Sequence, residues 1–257
     1  MRVRDVYPLA GPTASGKTAA AAILARRMGA AVLSADSMLV YRGMNLGTAK
    51  PTDDERVGYP LGGIDLVDPD EDFSAGAWLR AASRFVATLP EDQPLIVTGG
   101  TGLYFAALLR GLDREWVEPP PDYPVIDLPR DVLRARAAVR IEAMFAAGWI
   151  DEVRALLARF PVWSRTAQYA IGYAEIREQL LSGASPEPFD APAWNEAKAR
   201  ILMRTMRLVK HQATWFRHQA RAIVLQGGDA VRVAEDVAAV WREHGPWSAR
   251  FPDDQEA

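Results

Sequence analysis

The sequence predicts an α/β protein, a parallel sheet flanked by helices and followed by a mainly helical carboxyl-terminal half. Three observations carry that class. Gly11-Pro12-Thr13-Ala14-Ser15-Gly16-Lys17-Thr18 fits the pattern G-x-x-x-x-G-K-[ST] without a mismatch. Its flanks agree, with a short apolar strand over Val6–Ala10 before it and an Ala-rich helical run over Ala19–Met28 after it. Pro94-Leu95-Ile96-Val97-Thr98 is the unbroken apolar run of a strand buried on both faces, and it leads directly into Gly99-Gly100-Thr101-Gly102. Strand, glycine loop and helix recur, so the core is P-loop NTPase-like.

Taken in order, the first helix gives way to a second short strand, Ala30–Ser34, which delivers Asp36 and Ser37 at its carboxyl end, where α/β sheets place their chemistry. Met38–Pro51 has neither helical nor strand period and is expected to be an ordered loop over the site. Asp53–Pro69 is acidic and turn-rich. Ser74 is placed to cap a helix over Ala75–Leu89, whose Trp78, Ala81, Ala82 and Phe85 share one face and which Pro90 ends. After the second glycine loop comes a helix over Leu103–Leu109. Leu112–Asp127, with Pro119-Pro120-Pro121 and Pro124, breaks the pattern and predicts a linker or crossover. Helices are expected over Arg130–Ala147, Ile150–Phe160, Ile171–Leu181 and Ala193–Ala220. Ala222–Leu225 predicts a returning strand, Ala230–His244 a last helix, and Asp253–Ala257 a polar tail. No internal repeat is visible.

The phosphate-loop residues each have a physical task. Glycines let the backbone close round an anion, successive N–H groups and the helix amino terminus point at it, Lys17 supplies a point charge, and Thr18 offers a hydroxyl to Mg²⁺. Gly11, Thr13, Ala14, Ser15, Gly16, Lys17 and Thr18 are therefore the candidate binding residues for a polyphosphate.

Composition excludes several other classes. The chain of 257 residues is 49% apolar and can bury a full core. It has no Cys, so disulfides, thiol catalysis and Cys-based zinc sites are excluded, and His211, His218 and His244 lack ligand spacing. A metal would be Mg²⁺ on oxygens. No signal-peptide pattern and no apolar run of spanning length occurs, which predicts a cytoplasmic protein with no membrane association. The net charge of −3 argues against a general nucleic-acid binder, yet Lys198, Arg200, Arg204, Arg207, Lys210, Arg217 and Arg221 stand together without an acid between them. That run points to a polyanion partner.

Together the segments resemble the tRNA dimethylallyltransferase (tRNA isopentenyltransferase) family. The phosphate loop, then Ser34-Ala35-Asp36-Ser37 running into Tyr41-Arg42-Gly43-Met44-Asn45-Leu46-Gly47-Thr48-Ala49-Lys50-Pro51, then Gly99-Gly100-Thr101-Gly102-Leu103-Tyr104 are similar to that family's motifs in the same order. Arg136, Arg140, Met144, Gly148 and Glu152-Val153 resemble its basic helix, Ile171-Gly172-Tyr173 its I-G-Y signature, and Lys210-His211-Gln212-Ala213-Thr214-Trp215-Phe216-Arg217 its K-R-Q-x-T-W-F-R block. The resemblance covers about Val6–Arg217. It implies a single monomeric P-loop transferase domain over 1–257. The activity it implies is transfer of a dimethylallyl group from dimethylallyl diphosphate to N6 of the adenosine 3′ of the anticodon.

It also implies roles. Lys17 and Arg140, with Arg136 as the alternative, would face the diphosphate; Mg²⁺ would sit near Thr18. Asp36 would be general base, with a Mg²⁺ ligand or a helix cap as the competing readings. Thr101 would contact the target or the diphosphate. The adenine would enter between Thr101 and Asp36, Ser37, Met38 and Leu39, with Lys210, Gln212 and Arg217 holding tRNA.

The chain departs from the family where RNA is gripped. Only the Pro-rich bridge 112–127 stands where a helical insertion that holds the anticodon stem-loop is expected, Tyr169 replaces a usual Gln, Ala174 a basic residue, and Met206 and His211 each an Arg. Two other enzyme readings compete, an adenylate isopentenyltransferase with AMP as acceptor and a P-loop small-molecule kinase. A tRNA-binding protein without activity conflicts with the intact Lys17, Thr18, Asp36 and Thr101.

Overall fold

Strand β1 (Arg2–Ala10) occupies the middle of the sheet and feeds the phosphate loop, with helix α1 (Lys17–Met28) directly after it. The computed structural model describes residues 2–110, 122–183, 185, 192–219 and 222–252. It continues with β2 (Ala31–Ser34), β3 (Leu61–Gly62), α2 (Ala75–Ala87), β4 (Leu95–Gly99) and α3 (Gly102–Arg110). Then come β5 (Tyr123–Asp127), α4 (Arg130–Ala146), α5 (Trp149–Arg159), a 3₁₀ turn over Ala167–Tyr169, and α6 (Tyr173–Leu181). The chain closes with α7 (Pro192–Gln219), β6 (Ala222–Gln226), α8 (Ala230–His244) and β7 (Trp247–Phe251).

The strand order is β3-β2-β4-β1-β5-β6, and every neighbouring pair in that path is parallel. Because Ala10 pairs with Gly99, the loops that leave β1 and β4 emerge side by side. Alternation along the strands splits the core in two. Leu9, Val32, Ile96 and Ile126 point to the face covered by α1 and α8, with Leu24, Val237 and Trp241. Val6, Ala10, Leu33, Leu95, Val97 and Val125 point to the other face, against α2, α3 and the carboxyl-terminal helices, where Trp78, Phe105, Trp149 and Trp194 are buried. Burying side chains of this size supplies about 1.5–3 kcal/mol each.

Ser74 caps α2 as expected, its side chain accepting from Ala77 N at 3.1 Å. Three expectations need correction. Tyr123–Asp127 is strand β5 and not linker; Pro124, which lacks an N–H, argued against a strand. It is tolerated because β5 meets β1 only at Ala10–Val125, leaving that flank without a continuous ladder. The turn-rich segment carries the two-residue strand β3. The sheet is also not wholly parallel: β7 pairs antiparallel with Arg2–Val6, its Trp247, Ala249 and Phe251 buried and Ser248 and Arg250 exposed. The triple proline 119–121, Ala220, Arg221 and the tail 253–257 lie outside the described residues. Among the described residues no helix is long and apolar enough to cross a membrane.

Candidate active site

The phosphate loop closes as its sequence requires. Gly16, the amino-terminal cap of α1, has φ 93° and Ala14 has φ 65°. A Cβ at Gly11 would lie 2.8 Å from Ile126 O and 2.9 Å from Ser15 Oγ, so only glycine fits there. Lys17 is buried, its Nζ donating to Pro12 O at 3.2 Å. Burial pulls its pKa down to about 8, with Asp36 opposing the shift and Arg140 adding to it. Thr18 is exposed and lines a small polar pocket of about 70 Å³ together with Lys17, Ser34, Asp36, Leu39, Thr98 and Arg140. In that pocket Thr98 Oγ1 is buried without a hydrogen-bond partner, as is the nearby loop hydroxyl of Ser15.

Helix α4 brings a second cation. Arg140 donates to Thr13 Oγ1 at 2.8 Å, and burial lowers its pKa against the opposing charge of Asp36. Arg136, one turn earlier, donates instead to Gly228 O at 3.2 Å. Its Nη1 still comes within 3.8 Å of where a Cβ on Gly16 would stand, so both arginines reach the loop, and Arg140 is the one that hydrogen-bonds to it through Thr13.

The segment after β2 supplies the carboxylate. Asp36 Oδ1 accepts from Met38 N at 2.8 Å, so the side chain is held by an Asx turn and caps no helix. Ser37 N donates to Thr101 Oγ1 at 2.9 Å, and Thr101 Oγ1 donates to Ser37 Oγ at 3.2 Å, joining the segments after β2 and β4. From α7, Gln212 Oε1 accepts from Thr13 N at 2.9 Å while its Nε2 donates to Gly100 O at 3.0 Å.

Beside this polar corner lies a cavity of about 570 Å³. Thr13, Asp36, Thr48 and Arg140 line both spaces. Asp36, Ser37, Met38, Thr101 and Gln212 border the larger one, and Ile141, Met144, Trp149, Ile171, Tyr173 and Ile201 make much of its wall apolar. The arrangement sets an anion cradle next to an apolar chamber with a carboxylate at the boundary. Trp149, Ile141 and Ile201 come from three helices, and nothing local in the sequence marked them as neighbours.

The loop over the chamber is latched from behind. Glu152 accepts from Asn45 N at 3.1 Å and from Leu46 N at 2.9 Å, while Tyr173 OH donates to Glu152 at 2.5 Å and accepts from Gly47 N at 3.1 Å. A Cβ at Gly47 would lie 2.2 Å from Trp149, and one at Gly172 would lie 1.9 Å from the same ring. The two glycines let the indole lie between the loop and α6.

Two of the residues expected to hold RNA stand apart from the chamber. Lys210 is exposed, and Arg217 pairs with Asp127. Much of the basic run is neutralised by neighbouring acids: Lys198 meets Glu142 at 2.7 Å, Arg200 meets Glu178 at 2.6 Å, and Arg204 meets the buried Glu175 at 2.6 Å. The picture of α7 as a uniformly basic face is thereby corrected. Arg165, Thr166, Tyr169 and Leu208 border the chamber as well, which the sequence did not indicate.

Fold and site define a phosphate-loop protein built to hold an anion against an apolar chamber. The family model described as IPP transferase matches residues 39–125 and 119–219, and that described as isopentenyl transferase matches 4–59. A tRNA dimethylallyltransferase of Roseiflexus castenholzii is 31% identical over 304 residues, covering 91% of this chain and 96% of the relative. One from Syntrophobacter fumaroxidans is 35% identical, covering 82% and 80%. The crystal structure of the tRNA isopentenylpyrophosphate transferase of Bacillus halodurans superposes with a TM-score of 0.79 at 25% identity, covering 94% of this chain and 98% of the other. The chain belongs to the IPP transferase family.

Proposed function

We propose that the protein transfers a dimethylallyl group from dimethylallyl diphosphate to N6 of the adenosine 3′ of the anticodon in tRNA, acting as a cytoplasmic monomer. The observation that carries this reading is the shared boundary of the two spaces. The phosphate loop, Lys17 and Arg140 would hold the diphosphate, the apolar wall would receive the allyl chain, and Asp36 would meet the amine. N6 attacks C1 of the allyl group as the C–O bond breaks, the bonding pair leaves on the diphosphate, and the N6 proton goes to the Asp36 carboxylate. Charge appears on the leaving group as that bond lengthens, so preorganised N–H groups and two desolvated cations act where it develops.

Mg²⁺ fits the same corner. Thr18 offers an oxygen, and the unpartnered Thr98 hydroxyl in the pocket is the kind of group a hydrated cation satisfies. Bound there, the ion would neutralise diphosphate charge. Asp36 would then act as the base, with Thr18 beside the metal.

We read the bridge 112–127 as standing where relatives carry additional residues. Two findings support this: the family model matches in two pieces that meet at 119–125, and an alignment of 304 positions takes in only 91% of a chain of 257. Its last residues form β5. Incubation with dimethylallyl diphosphate, Mg²⁺ and either tRNA or AMP, followed by mass spectrometry, tests the reading. Prenylated adenosine in tRNA is expected; product on AMP alone would make the small-acceptor enzyme the right assignment, and phosphoryl transfer from ATP would favour a kinase.

A further inference from the structure

Tyr169 is a large aromatic side chain left 65% exposed at the edge of the chamber it helps to line. Its backbone is fixed while its ring is not covered. The peptide is held in the 3₁₀ turn, with Tyr169 N donating to Thr166 O at 3.3 Å, and Arg204 donates to Tyr169 O at 2.8 Å while paired with the buried Glu175. Arg204 thus spends its charge inside the protein and anchors the turn. The neighbours on the rim are different. Arg165 and Thr166 are exposed and line the same mouth with the exposed Leu208, and Arg165 has no carboxylate partner among the described residues.

A rigidly mounted aromatic face sharing its rim with an unneutralised arginine suits a single-stranded nucleic acid, whose bases stack and whose phosphates seek positive charge. Resting on the tRNA-modifying reading above, we propose that the Tyr169 ring is a stacking platform for a nucleobase next to the adenosine that enters the chamber, with Arg165 taking an adjoining phosphate. Tyr169 is a binding residue in this scheme and not a catalytic one. It holds the neighbouring base outside while the target base goes in.

The experiment uses the whole protein and an RNA hairpin carrying the anticodon loop, with 2-aminopurine placed in turn on either side of the target adenosine. Wild type is expected to quench one of the two probes on binding, and Tyr169→Ala to abolish that quench. KM for RNA should rise on the order of tenfold or more in Tyr169→Ala, with KM for the donor and Tm unchanged, because stacking acts on RNA binding alone. Tyr169→Phe and Tyr169→Trp should restore both readouts; a merely structural role would not be rescued by the larger indole. If Tyr169→Ala stays folded and quenches and binds as wild type does, the platform assignment is wrong even though wild type prenylates tRNA. If wild type prenylates only AMP, the functional reading fails, and quenching that depends on Tyr169 still decides whether the platform binds a base.

Discussion

Gln212 Nε2 lies 3.0 Å from Gly100 O, and a Cβ added at Gly100 would come within 2.3 Å of that same nitrogen. The missing side chain at 100 is what lets one amide from α7 tie the phosphate loop to the glycine loop after β4, since its Oε1 takes the Thr13 N–H. Gly100→Ala should push the amide away and release the loop over Thr13. Gln212→Ala should do the same without crowding. Either change is expected to lower kcat by about 10–10²-fold, the scale of a loosened reacting geometry, with a smaller change in Tm. Wild-type kcat in folded Gln212→Ala would show that the bridge is dispensable.

Lys17 gives a pH dependence whose sign can be worked out. Folding lowers its pKa from 10.5 to about 8, chiefly by burial. Below pH 8 the ammonium is present and attracts diphosphate; above it the neutral amine takes over. Diphosphate affinity should therefore fall as pH rises through 8, approaching tenfold per unit. The same depression costs the unliganded fold stability below pH 8, a cost that fades as pH climbs toward 10.5. Isothermal titration with inorganic diphosphate between pH 7 and 9.5 checks this, and a flat profile would mean that Lys17 remains charged.

Asp36→Asn keeps a hydrogen-bond acceptor for Met38 N and so should keep the turn. As the proposed base it should lose about 10²–10⁴-fold in the chemical step while donor affinity stays near wild type. Single-turnover kinetics separates the two. Strong rescue by added Mg²⁺ would make Asp36 a metal ligand.

The sheet and its two glycine loops were legible because their signals are local: an unbroken apolar run, a fixed motif spacing, a serine before a helix. The chamber was not. Ile141, Trp149 and Ile201 carry ordinary core patterns on separate helices and meet only in three dimensions. Residue charge also misled. Lys198, Arg200 and Arg204 read as a free basic face because the acids that neutralise them, Glu142, Glu178 and Glu175, lie on α4 and α6. Strand β5 was obscured by Pro124, and its tolerance depends on a pairing partner fixed far away in sequence.

Trp149 is gripped by backbone at Gly47 and Gly172, with no room for a methyl at either. Gly172 also has φ 88°, a left-handed conformation costly to other residues. Gly172→Ala should destabilise by roughly 2–4 kcal/mol, overpacking and backbone strain together, and Gly47→Ala by about 1–3 kcal/mol. Denaturant unfolding measures both. A Gly172→Ala protein as stable as wild type would show that the indole moves aside freely.

The last test divides α7 into a half that supports the fold and a half that is free to meet RNA. Arg204 lies against Glu175, which is almost wholly buried, so Arg204→Glu would set two carboxylates together and remove the donor to Tyr169 O. Breaking a buried pair in this way should cost roughly 3–5 kcal/mol and appear as a lower Tm. Arg207 and Lys210 are exposed without a carboxylate partner among the described residues, so reversing both to Glu should leave Tm near wild type. Their contribution is to long-range attraction. For single-stranded RNA each phosphate contact adds about 0.7 to the slope of log affinity against log salt, so the double reversal should flatten that slope by about one or two contacts' worth and raise KM for tRNA. Donor affinity should not change, because neither side chain lines the pockets that contain Lys17 and Arg140. An unaltered salt slope and KM in a folded Arg207→Glu, Lys210→Glu protein would remove α7 from the RNA surface and leave the small-acceptor enzyme as the better account of this site.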